Sequence, residues 1–214
     1  YNAVMFCLCL TPDNKRLITA DRDTVVRVFN ASTGALLKEL KDHSDRVFSV
    51  AASRDGRFIA SGDDECRKII LWNAQDGRKV FTHQHNGSVE CVSFSNDCPT
   101  TRVATSCKDG NITVISIESQ LVVFESKSHQ CCFSCAWSRD SHMLVSGGTN
   151  GDIVLFDATD NYTEIRKINL QVDAYVRALT FTPFDDYLIV GTEHSDKSIV
   201  IINVETGEEI HCVG

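Results

Sequence analysis

One short turn motif returns at near-constant spacing along this 214-residue chain, and the spacing limits what the chain can fold into. Its copies are Thr11-Pro12-Asp13-Asn14, Ser53-Arg54-Asp55-Gly56, Ser95-Asn96-Asp97-Cys98, Ser138-Arg139-Asp140-Ser141 and Thr182-Pro183-Phe184-Asp185. Each follows an apolar residue: Leu10, Ala52, Phe94, Trp137 or Phe181. Those residues are 42, 42, 43 and 44 positions apart. A fixed period in this range is the mark of a repeat array in which each unit is one supersecondary motif.

Within a unit the apolar runs are short and bounded by turn residues, the pattern of strands. The third unit opens with Val89-Glu90-Cys91-Val92-Ser93-Phe94. Second strands are expected at 16–20, 57–62, 102–106, 143–147 and 187–191. Third strands follow at 25–29, 68–72, 112–117, 153–156 and 199–202. Fourth strands are expected at 36–40, 79–82, 121–124, 165–168 and 209–212. Turns such as Ser32-Thr33-Gly34 and Gln75-Asp76-Gly77 separate third from fourth strands. No helical periodicity persists for more than a few residues. Four strands at this period match one propeller blade, so the expected fold is all-β, with five blades at about 1–42, 43–84, 85–128, 129–171 and 172–214.

Composition narrows the function classes. Asp and Glu exceed Lys and Arg, 29 to 21, for a net charge of −8, which argues against nucleic acid as a direct ligand. No apolar run reaches the ~18 residues of a membrane-spanning helix, so no membrane insertion is expected. The ten cysteines mostly fall inside expected strands, where they act as small apolar residues. Residues three apart on a strand face opposite ways, so Cys132 and Cys135 are not expected to share a metal. Unpaired structural thiols fit a reducing, intracellular compartment, cytoplasmic or nuclear.

The units resemble the WD-repeat (Trp-Asp repeat) family in all five copies. The Trp-Asp that ends that family's third strand is matched by Phe29-Asn30, Trp72-Asn73, Ile115-Ser116, Phe156-Asp157 and Ile202-Asn203. Its Gly-His is matched by Asp42-His43, Gln84-His85 and Ser128-His129, with Tyr1 and Val172 in the outer copies. Its hairpin Asp is matched by Asp23, Asp109 and Asp196, with Asn150 in the fourth copy. The resemblance implies a hydrogen-bonded network inside each blade. Its candidate members are His43, Ser61 and Trp72; His85, Thr105 and Asp109; and His129, Ser146 and Asn150. On this mapping every copy lacks a member. The second hairpin, Asp63–Lys68, carries one extra residue and places Cys66 where the Asp is expected.

Catalytic and metal readings find little support. His85, Asp109 and Thr105 would make a triad only with an activated nucleophile, and no G-x-S-x-G loop accompanies them. The structural alternative pairs His85 with Asp109. His83 and His85 alternate on one strand and have no third metal ligand nearby in sequence. Phosphate-loop and dinucleotide motifs are absent, so neither cofactor nor metal is expected.

Binding is then the expected role: a non-catalytic scaffold that holds partner proteins or peptides, within a larger complex, on the loop faces of its propeller. Arg46, Glu90, Tyr175 and Arg177 stand at or before the start of first strands, near the expected channel mouth. Asp63, Asp64, Glu65 and Arg67 in the longer hairpin are further candidate contacts. An enzyme on a propeller scaffold would need clustered carboxylates or metal ligands at one mouth. A third reading is architectural: the resembling family usually closes seven blades, so further blades would complete a propeller that these five leave open.

Overall fold

The computed structural model describes residues 4–98 and 101–214; Tyr1 lies outside them. The expected hydroxyl-bearing turn is what starts each hairpin. Ser53 Oγ donates to Asp55 Oδ1 at 2.7 Å and accepts from the Phe58 amide at 2.9 Å. Ser138 repeats this with Asp140 and Met143, and Thr11 with Asp13 and Arg16. Ser95 accepts from the Arg102 amide, and Thr182 from the Tyr187 amide. In each unit, therefore, the side chain at the head of the motif fixes where the second strand begins, a local hydroxyl turn.

Twenty strands result among the described residues, four to a blade. Blade 1 comprises β1 (Met5–Leu10), β2 (Arg16–Asp21), β3 (Val25–Asn30) and β4 (Leu36–Lys41). Blade 2 comprises β5 (Val47–Ala52), β6 (Phe58–Asp63), β7 (Lys68–Asn73) and β8 (Lys79–Gln84). Blade 3 comprises β9 (Val89–Phe94), β10 (Arg102–Cys107), β11 (Asn111–Ser116) and β12 (Val122–Lys127). Blade 4 comprises β13 (Cys132–Trp137), β14 (Met143–Gly148), β15 (Asp152–Asp157) and β16 (Thr163–Asn169). Blade 5 comprises β17 (Val176–Phe181), β18 (Tyr187–Thr192), β19 (Ile199–Asn203) and β20 (Glu209–Val213). Every blade is an antiparallel meander in chain order. The chain thus has the expected all-β architecture of five four-stranded propeller blades.

Turns between third and fourth strands are closed by the residue in the Asp place of Trp-Asp. Asn30 Oδ1 accepts from the amides of Ser32 and Thr33, and Asn73 Oδ1 from those of Gln75 and Asp76. The chain then needs a left-handed residue, supplied by Gly34 and Gly77 at φ 70° and 79°.

First strands of successive blades pack side by side, β1 on β5, β5 on β9, β9 on β13 and β13 on β17. They form the inner wall, and the half-exposed fourth strands form the outside. Apolar side chains fill each junction. Between blades 2 and 3, Ala60, Ile69 and Leu71 meet Val89, Val92, Phe94 and Val103. Each large aliphatic buried this way contributes about 1.5–3 kcal/mol. Gly62 belongs to this packing: a Cβ there would lie 2.4 Å from Val89 Cγ1.

Among the described residues four such cores form, one at each junction between consecutive blades, and none joins blade 5 to blade 1. The outermost faces stay bare. Leu8 and Leu10 of β1 are 56% and 49% exposed, and Tyr187, Ile189 and Ile199 of blade 5 are also open. No helix among the described residues is long and apolar enough to cross a membrane.

Candidate functional site

Blade interiors hold the network candidates. In blade 2 the side chains form one continuous chain of hydrogen bonds. The indole Nε1 of Trp72 donates to Ser61 Oγ at 2.8 Å. Ser61 Oγ lies 2.6 Å from His43 Nε2, and His43 Nδ1 lies 2.7 Å from Asp63 Oδ2. An indole can only donate, so the Ser61 hydroxyl is free to pass its own hydrogen to His43 Nε2. Nδ1 then carries the proton that Asp63 accepts. The other Asp63 oxygen takes the Lys68 amide at 2.7 Å. All four side chains are buried.

This corrects two expectations. Blade 2 lacks no member, and Asp63 is no exposed contact: it is 0% exposed and supplies the missing carboxylate. It does so from two residues after the serine, not four, because Asp63 is the last residue of β6 and closes the ladder opposite Val47. Asp64 is also buried; it binds an Arg46 guanidinium nitrogen and, at 2.8 Å, Ser88 Oγ of the next blade. Glu65 and Arg67 are exposed, with Arg67 in the left-handed region at φ 55° and bonded to the Asn86 carbonyl.

The other blades differ. His85 approaches Thr105 Oγ1 at only 3.4 Å and makes no bond to Asp109. The expected pair fails because Asp109 is turned to its own hairpin, where it accepts from the Asn111 amide and side chain at 3.1 and 3.0 Å. This also dissolves the triad geometry. Burial, with a lesser push from the His83 ring 4.7 Å away, lowers the His85 pKa to about 3. In blade 4, His129 Nε2 meets Ser146 Oγ at 2.8 Å, while Nδ1 has no partner among the described residues. Asn150 sits in a 3-10 turn and does not reach it. Burial lowers the His129 pKa to about 4. In blade 1, Asp23 pairs with Arg27, which also holds Asp21. Asp196 lies in an exposed loop beside His194. Among the described residues no group of three metal-ligating side chains comes together.

The second region is the inner rim at the start of the first strands. Every first strand carries a bulge against its neighbour, because the register skips one residue after the first pair. The skipped residues are Phe6, Phe48, Glu90, Phe133 and Arg177. A bulge re-aims the extra side chain away from the regular pleat, so five equivalent positions place large side chains along one rim. Phe6 and Phe48 meet edge to face at 5.0 Å, with the Arg46 guanidinium 5.7 Å over Phe48. On the other side Arg177 lies 4.3 Å over Phe133 and 4.9 Å over Tyr175. Arg177 is held by Glu193 at 2.6 Å, and Arg46 by Asp64.

Of the eight residues proposed as contacts, then, Arg46, Glu90, Tyr175 and Arg177 share this rim. Sequence reading missed the phenylalanines Phe6, Phe48 and Phe133. Their signal was positional: each occupies the same slot, four residues before the end of its first strand.

The family model described as the IFT122 first beta-propeller matches residues 4–212. An intraflagellar transport protein 122 homolog of Mus musculus is 34% identical over 150 residues, 70% of this chain and 12% of that protein. The Homo sapiens homolog is 33% identical over 147 residues, 68% of this chain and 11% of its own length. A small ribosomal subunit protein RACK1 of Drosophila melanogaster is 28% identical over 159 residues, 69% of this chain and 49% of its own. The chain therefore spans about an eighth of the transport proteins it matches. It belongs to the IFT122 first β-propeller family, a family of WD-repeat proteins.

Proposed function

We propose that this chain is a non-catalytic interaction module of a multiprotein assembly, intracellular and allied to intraflagellar transport. The observation that carries this is the family match across 4–212. It is supported by relatives named for an intraflagellar transport protein, a ribosomal subunit and an anaphase-promoting complex subunit. The side chains that could have suggested hydrolysis have other occupations, since Asp109 is spent on Asn111. Partner contact is assigned to the inner rim around Arg46, Glu90, Tyr175 and Arg177. The test is isolation of the tagged full-length protein from its own cells. Co-isolation with intraflagellar transport proteins, lost on charge reversal at Arg46 and Arg177 without loss of folding, supports the reading. A wild-type protein that runs as a lone monomer, or that turns over hydrolase substrates, overturns it.

The bare faces favour an architectural role as well. Apolar sheet faces of this size invite association, and we propose that further blades cover β1 and blade 5. Two more would take ~85 residues at this repeat length. A longer chain including them should protect the β1 and β18 amides from hydrogen exchange relative to residues 1–214 alone. Equal exchange would contradict the proposal.

A further inference from the structure

We infer that the rim holds a basic peptide segment of a partner, with one lysine or arginine side chain seated against Glu90 between the rings of Phe48 and Phe133. The inference rests on the scaffold reading and names the chemistry of the contact. Glu90 occupies the third of the five bulge positions, so Phe48 precedes it and Phe133 follows it on adjoining first strands. It is the only one of the five to carry a carboxylate. It is partly buried and makes no hydrogen bond or ion pair with any described residue, and burial raises its pKa. Leaving a desolvated carboxylate unpaired costs free energy that an incoming cation returns.

The charges around Glu90 select the sign of the ligand. Arg46 is occupied by Asp64, with Asp45 and Glu65 also near, and it lies over Phe48. Arg177 is occupied by Glu193 and packed on Phe133 and Tyr175. Lys108 and Arg177 act on Glu90 only through space, and Asp64 opposes them. Both arginines already have counter-ions, whereas the carboxylate between them has none. The flanking rings suit the other half of a basic side chain, since aromatic faces attract a cation and pack its methylene stem. The chain's net charge of −8 favours the approach of a basic segment.

The test uses the full-length protein, a fluorescently labelled tetra-lysine peptide and a tetra-glutamate control, read by anisotropy at about physiological salt, where loose charge attraction is screened. Tetra-lysine should bind saturably. Glu90→Gln should weaken it about tenfold, and Phe48→Leu and Phe133→Leu severalfold. Glu208→Gln, which removes an exposed carboxylate at the outer edge of blade 5, should leave binding unchanged. Because Glu90 has no partner to lose, Glu90→Gln should melt no lower than wild type. Absence of saturable tetra-lysine binding, equal loss in Glu90→Gln and Glu208→Gln, or tighter binding of tetra-glutamate would overturn the inference. If peptide binding fails while the protein still enters its assembly, this inference falls alone. A wild-type protein found in no assembly removes the reading beneath it.

Discussion

Blades 2 and 3 put a histidine, a hydroxyl and a hairpin in the same places and obtain different interiors. His43 is bonded at both ring nitrogens, to Ser61 and Asp63, and the chain of donors is anchored by Trp72. His85 has a long contact to Thr105 and no carboxylate. Two substitutions account for this. Ile115 stands where Trp72 would donate, and Cys107 stands at the ladder end where Asp63 sits. Thr105 Oγ1 keeps the long carbonyl contact that Ser61 also has, 3.5 Å to Thr113 as Ser61 has to Ile70, but no indole joins it, and Thr113 Oγ1 and Ser106 Oγ remain buried without partners among the described residues. Blade 3 instead holds together through its apolar seams. A polar network is therefore one way to lock a blade and not a requirement of the fold.

The comparison should break first at Asp63. Asp63→Ala leaves His43 Nδ1 and the Lys68 amide unpaired in a dry interior, and should cost roughly 3–5 kcal/mol by chemical denaturation. A loss under 1 kcal/mol would show that the network is incidental.

Acid should act on blades 3 and 4, through His85 and His129. The folded-state pKa values of His85 and His129 are depressed, to about 3 and about 4, so the unfolded chain binds their protons first. Their contribution is intact above the unfolded value of about 6.5 and drains away as pH falls toward the folded values. By pH 5 each should have cost on the order of 2 kcal/mol. His85→Asn should flatten the stability profile between pH 6.5 and 5; an unchanged slope would place the titration elsewhere.

Trp72→Phe keeps the ring and removes the N–H, and should cost about 1–2 kcal/mol. Its effect should shrink to near zero once Ser61 is already alanine, and additive losses would argue against a shared hydrogen-bond chain. The smallest effect is expected at Asp109, whose bonds are confined to an Asn111 turn. Asp109→Ala should cost no more than about 1 kcal/mol, with the His85 titration unmoved. A shift of the His85 NMR titration would restore the pair that the geometry denies.

These residues also show what the sequence could disclose. The hydroxyl turn at Ser53, Ser138 and their equivalents is local chemistry, a side chain bonding backbone five residues on, or seven at Ser95, so its spacing revealed blade number and strand order directly. Network membership is not local. Asp63 lies two residues from Ser61 where four was expected, at the ladder end that Asp21 holds in blade 1 and Cys107 in blade 3, and only the pairing with β5 shows it buried there. Asp63, Asp64, Glu65 and Arg67 read alike as charged loop residues; the structure buries the first two and exposes Glu65 and Arg67. The rim was half legible. Arg46, Glu90, Tyr175 and Arg177 stood out as polar or aromatic at strand starts, while Phe6, Phe48 and Phe133 passed as ordinary strand residues because a bulge leaves no mark in composition.

The central claim is that blade interiors build the scaffold and the inner rim binds partners. Hydrogen exchange on the full-length protein, free and within its isolated assembly, tests this directly. Added protection should concentrate at residues 43–48, 64–67, 86–90 and 173–177, with the interior strands β6 and β10 unchanged. Protection confined to the outer fourth strands, with the rim exchanging as in the free protein, would contradict it.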